Sequence, residues 1–166
     1  MENTMTVGQV FEAAVSAERA VEKLFHALEA KFAQHPDLAA FWRQFAVEED
    51  MHAQWLLSAR ARLSPEQLAA PVGAETAAAV HRVAAFSLEQ ALGRVQNLED
   101  AYELVTDLES GETNAIFQFL LKHFEPDEQR ANFIRAQLSS HMVKMSTDLP
   151  AQYRSGAAHR TVRALD

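Results

Sequence analysis

The sequence predicts an all-α protein, a four-helix bundle with one long crossover connection. Five glycines and five prolines in 166 residues are about half the average usage, whereas alanine, the strongest helix former, occurs 30 times. Between the few helix breakers, apolar residues recur every three or four positions, which is the period of a helix face. The prolines are grouped at a small number of points, so the long segments between them can be read directly.

Segment A runs over 6–34 and stops before His35-Pro36, and segment B follows over 37–63. Ser64-Pro65-Glu66-Gln67 makes a break with a possible new helix start, and 64–86 as a whole reads as a long connection carrying some helix. Segment C covers 87–109, with Ser87 and Gln90 resembling a capping box, and 112–124 is a short helical continuation beyond Ser110-Gly111. Segment D covers 126–148, with Pro126 at its start and Asp127 and Glu128 in the first turn, where they suit the helix dipole. Residues 1–150 are thus expected to form one bundle. Residues 151–166, carrying Arg154, Arg160 and Arg163, are expected to be a C-terminal tail with little to pack, mobile or dependent on a partner. Short A–B and C–D links with a long B–C connection are the plan of ferritin-like folds, and the common plan of the two hairpins suggests a duplication.

Composition narrows the function classes. The length suits one domain with a substantial core. A net charge of −8, from 15 basic and 23 acidic residues, argues against a nucleic-acid surface. No apolar run approaches a membrane span, and the N-terminal residues lack the basic and apolar regions of a signal peptide, so a cytoplasmic protein is expected. The absence of cysteine removes disulfides, thiolate nucleophiles, iron–sulfur clusters and thiolate zinc sites. Any bound metal must therefore use histidine and carboxylate.

Charged residues interrupt the apolar stripes. In A the walk Val7, Phe11, Ala14, Glu18, Val21, Phe25, Leu28, Phe32 is apolar except at Glu18. In B, Leu38, Trp42, Phe45, Glu49, His52, Leu56, Ala59, Leu63 is broken by Glu49 and His52. An unpaired buried carboxylate costs several kcal/mol, so something must compensate these groups. Glu49 and His52, three apart on one face, could hold a metal ion between them. Ferritin-like di-iron proteins take a Glu from each of two helices and a Glu-x-x-His from each of the other two. Glu18 and Glu49–His52 supply the first half of such a set, at matching depth in two antiparallel segments.

The second half is incomplete. Segment D walks as Ala131, Ile134, Leu138, His141, Met145, so His141 faces inward with Leu138 where its carboxylate partner belongs, and Gln137 is one position off. Segment C admits two registers. Leu88, Leu92, Val95, Glu99, Tyr102 turns Glu99 inward, Leu88, Ala91, Val95, Leu98, Tyr102 is wholly apolar, and Glu109 and Glu112 are further candidates. The expected metal ligands are Glu18, Glu49, His52, Glu99 and His141, and one ion is easier to accommodate than two. Glu48, Asp50, Glu22 and Arg19 read as solvated surface, the aromatic residues as packing, and His26, His35, His81, His123 and His159 as surface or boundary positions.

Two stretches, Ala17-Glu18-Arg19-Ala20-Val21-Glu22-Lys23-Leu24-Phe25 and Phe45-Ala46-Val47-Glu48-Glu49-Asp50-Met51-His52, resemble the rubrerythrin branch of the ferritin-like superfamily. By architecture the resemblance extends over 6–147. It implies a carboxylate-bridged di-iron centre that reduces hydrogen peroxide or reacts with oxygen, usually supplied with electrons by a four-cysteine rubredoxin-type site. This chain has no cysteine, so the expectation is iron, as one or two ions, or another divalent metal, with a separate electron donor and a homo-oligomer, most simply a dimer. The alternative is a degenerate bundle in which the same residues form a hydrogen-bonded network without metal, serving as a binding or assembly module.

Overall fold

The computed structural model describes residues 4–109 and 111–165, with the side chains of 112–114 left out. Among the described residues it is all-helical, without strands. The helices are α1 (Val7–Lys31), α2 (Pro36–Ala61), α3 (Pro65–Ala69), α4 (Ala74–Ala84), α5 (Leu88–Leu92), α6 (Leu98–Glu109), α7 (Glu112–Phe124), α8 (Glu128–Thr147) and α9 (Gly156–Thr161). None of them is long and apolar enough to cross a membrane.

Local chemistry sets the ends. Thr6 and Gln9 form a capping box at the start of α1, Pro36 occupies the first turn of α2, and Ser64 and Gln67 form a second capping box at α3. Asp127 caps α8 by accepting from the backbone of Gln129 and Arg130. This moves the start of α8 to Glu128, two residues beyond Pro126.

Segment C is not one helix. α5 ends at Gly93, and the chain restarts at Asn97, whose Oδ1 accepts from the Asp100 backbone at 2.9 Å. That cap resets the register. The buried residues of α6 are Leu98, Ala101 and Val105, a stripe that passes one position away from Glu99 and reaches Glu109 one turn after Val105.

Two clusters of buried apolar residues give the chain direction. One joins the second half of α1 (Val21–Phe32), the first half of α2 (Leu38–Ala46), α6, and Met145, Leu149 and Tyr153. The other joins the first half of α1, the second half of α2, Ala79 and Val80 of α4, then α7 and the first half of α8. α1 and α2 are therefore antiparallel, the crossover returns the chain so that α6–α7 runs parallel to α2, and α8 runs back along it. Within the first cluster, Phe25 stacks on Phe45 at 5.2 Å and on the fully buried Trp42 at 6.1 Å, so these aromatics serve packing. The crossover itself is tied to the start of α1: Val7 N donates to Ala70 O, and Val72 N to Met5 O.

The C-terminal residues pack against the bundle, which corrects the expectation of a tail with little to pack. Tyr153 is buried, Arg154 donates to the carbonyls of Leu149 and Thr147, and Leu98 N donates to Val162 O. Leu165 N reaches Lys31 O at 2.7 Å, and Gln34 Nε2 reaches Arg163 O at 2.7 Å. These are mostly bonds to backbone groups, which side-chain polarity in the sequence does not reveal.

Candidate metal centre

Between the two apolar clusters lies a layer of buried charge. Glu18 from α1, Glu48, Glu49 and His52 from α2, and His141 from α8 are the buried polar residues among those described. Glu18, Glu49, His52 and His141 are brought together as the stripes predict.

The two imidazoles face each other, with ring centroids 5.3 Å apart. His52 Nδ1 lies 3.3 Å from Glu49 Oε2 and 3.5 Å from Glu18 Oε2. His141 Nδ1 lies 3.3 Å from Glu49 Oε1 and 3.1 Å from Glu109 Oε1. Glu49 thus stands between the histidines, one oxygen toward each. Phe45 and Phe117 press edge-on against His141 and His52 at 5.5 and 5.6 Å, fixing both rings from the apolar side.

Glu99 is not part of this layer. It lines a surface groove with Tyr102, Glu103 and His159, ten residues before Glu109 on the same helix, a separation of about 15 Å. The restart of the helix at Asn97 is the physical reason, and Glu109 supplies the third helix's carboxylate instead. The side chain of Glu112, the other candidate in that segment, lies outside the described residues. Tyr102 donates its hydroxyl hydrogen to the Met145 carbonyl and not to a carboxylate.

Two participants, Glu48 and Lys144, were not anticipated. Glu48, read from sequence as solvated, is buried, with Oε2 2.8 Å from His141 Nε2 and Oε1 2.5 Å from Lys144 Nζ. His141 is thereby held at Nε2 by a carboxylate while Nδ1 faces the centre, an arrangement that fixes ring orientation and raises basicity in metal-binding histidines. The signal for Glu48 is a second walk on α2, Phe41, Phe45, Glu48, His52, Trp55, which is as apolar around its charges as the first. By contrast Arg19, pairing with Glu22 at 2.6 Å and Asp50 at 2.5 Å, links α1 to α2 on the outside, as the surface reading of those residues requires.

The electrostatics are those of a site with too much negative charge. Burial, and after it the neighbouring Glu18 carboxyl, pushes Glu49 well above the usual carboxylate range. Burial also pushes Glu48 upward, but His141 and Lys144 outweigh it and hold the group at about 2. His141 is pulled down by burial, yet Glu109 and Glu48 raise it to about 9. Without a cation, protons on Glu49 and His141 balance the carboxylates.

The donor set fits a divalent metal. One ligand atom each from Glu49, His52 and His141 lie within 4.8 Å of one another. Bonds of about 2.0–2.2 Å place neighbouring donors roughly 3.0–3.5 Å apart, which is the spacing of the histidine–carboxylate pairs. A cavity of about 30 Å³ lies among Glu18, Glu49, Glu109 and His141, closed by Val21, Leu108 and Leu138. Leu138 closes it with methyl groups where a second carboxylate would be needed for a second ion.

Glu48→Gln removes the charge behind His141 and keeps the shape. Metal affinity is expected to fall about 10–100-fold. The depressed Glu48 contributes stability above 4.5 that is lost as pH falls toward 2, and the raised His141 contributes below 6.5 and loses it as pH rises through 9. The metal-free variant should therefore be less stable by on the order of 2 kcal/mol near pH 5.5, with the gap narrowing but not closing at pH 9.5, where His141 has lost its charge and Lys144 still pairs with Glu48. Denaturant unfolding of both proteins at the two pH values checks this.

No protein-family model, curated protein or solved structure matches the chain.

Proposed function

We propose that this chain is a ferritin-like four-helix protein of the rubrerythrin type that binds one iron ion, or another divalent metal, in its core. The observation that carries the reading is Glu49, buried between the Nδ1 atoms of two histidines from different helices, with Glu18 and Glu109 completing the donors. Mixed carboxylate and imidazole ligands suit iron, manganese or zinc, and carboxylates can adjust their binding as an iron ion changes charge. Bound iron would supply one-electron chemistry toward peroxide or oxygen. The chain's own residues orient the donors, exclude water with Val21, Leu108 and Leu138, and hold the His141 ring through Glu48. With no cysteine in the chain, the electrons come from a separate donor, and the protein works as a cytoplasmic homodimer.

Leu138 favours a second reading, a degenerate bundle whose carboxylates are satisfied by protons and serve only as a polar network. Anaerobic Fe(II) titration combined with thermal unfolding separates the two. The metal centre predicts saturation near one ion per chain and a stability gain of about 2.7 kcal/mol at a hundredfold excess over Kd, reversed by chelator. Identical unfolding with and without metal, and no saturable binding, would leave the network reading in place.

A further inference from the structure

A cleft of about 490 Å³ runs between α1 and α6 beneath the end of α4. Its floor is small and apolar, with Ala13, Ala17 and Ala20 from α1 and Val83 opposite, while Ser16, Arg82 and Asp107 line it as polar groups. Val21 and Leu108 line both this cleft and the cavity beside Glu18, Glu49, Glu109 and His141. These two side chains thus stand between the cleft and the buried donors. Val21 is buried and rigid at its branched Cβ, whereas Leu108 sits in the last turn of α6 and is partly buried. Rotamer exchange of a partly exposed leucine is fast, so Leu108 is the movable half of the partition.

We propose that the cleft is the entry route for dioxygen to the metal centre, with Leu108 as its gate. The proposal rests on the metal reading of the preceding section and names the oxidant. Dioxygen has no hydrogen bonds to surrender on passing between Val21 and Leu108, while hydrogen peroxide would lose its bonds to water there. Glu49 Oε1, buried and 3.3 Å from His141 Nδ1, marks the polar end of the route. Bound iron would supply the electrons: two ferrous ions, one in each of two protein molecules, would become ferric as one dioxygen takes up two protons from water and leaves as hydrogen peroxide.

The test has two arms. In metal-free protein, dissolved dioxygen under pressure should speed relaxation of the methyl groups of Ala17, Ala20, Val21 and Leu108 several-fold more than those of Leu24, Leu28 and Leu98 in the aromatic cluster. In Ala17→Phe the enhancement at Val21 and Leu108 should disappear. In iron-loaded protein, Ala17→Phe should slow oxidation by dioxygen tenfold or more with Fe(II) affinity unchanged, and Leu108→Ala should speed it. Uniform methyl enhancement overturns the route whether or not iron binds. Wild-type oxidation rates in Ala17→Phe, or slowing confined to hydrogen peroxide, overturn it with the metal centre intact. Absence of Fe(II) binding in wild type sinks the metal reading alone, and the relaxation arm still decides the route.

Discussion

Glu49→Gln is expected to lose metal binding by at least a hundredfold while the metal-free protein keeps its stability to within about 1 kcal/mol. The asymmetry follows from the environment. Glu49 is pushed well above the usual carboxylate range by burial and by Glu18, so in the absence of metal it carries a proton, and a glutamine reproduces that neutral group in size and shape. A cation, however, needs the carboxylate that stands between His52 and His141, and an amide bears no charge. Anaerobic Fe(II) or Co(II) titration gives the affinity, and urea unfolding gives the stability. A variant that loses stability and metal together would mean that Glu49 acts only as structure.

Leu138→Glu should have the opposite pairing of effects. It supplies the carboxylate that would precede His141 by three residues, completing a second Glu-x-x-His on α8 opposite Glu49–His52. Leu138 is buried against the apolar residues around Ile134 and Phe117, so without metal the new carboxyl should cost several kcal/mol. With metal the loss should be recovered and the stoichiometry should rise from one ion per chain to two. Titration endpoints and urea midpoints with and without Fe(II) give both numbers. A variant that stays at one ion and is not rescued would show that more than Leu138 separates this centre from a two-ion site.

Much of this was legible in the chain because helical periodicity is a local property. Glu18, Glu49, His52 and His141 stand out as charges on otherwise apolar stripes, and the long helices place them at one level. Glu99 failed because two registers were open for the third bundle helix and the cap decides between them: Asn97 restarts the helix after Gly93 in the phase of the wholly apolar walk, which buries Val95 and Leu98 and brings Glu109, not Glu99, to the charged layer. Glu48 was hidden by its neighbour: two adjacent acidic residues on α2 both turn inward, one toward each side of the charged layer, and a single stripe can recruit only one. The partners that keep Glu48 ionised, His141 and Lys144, lie more than 90 residues away in sequence. The docking of residues 151–165 was invisible for a similar reason, since the Val162 and Arg163 carbonyls accept from Leu98 N and Gln34 Nε2 and Leu165 N donates to the Lys31 carbonyl, all contacts to backbone groups between distant residues.

The most direct test of the metal centre is anomalous scattering at the iron edge from crystals grown anaerobically with Fe(II). One strong peak should appear among the side chains of Glu18, Glu49, His52, Glu109 and His141, with both Nδ1 atoms turned toward it and Leu138 bordering it. No peak in that layer, with Glu49 still shared between the two imidazoles, would contradict the reading and leave a proton-balanced polar network at the core of the bundle.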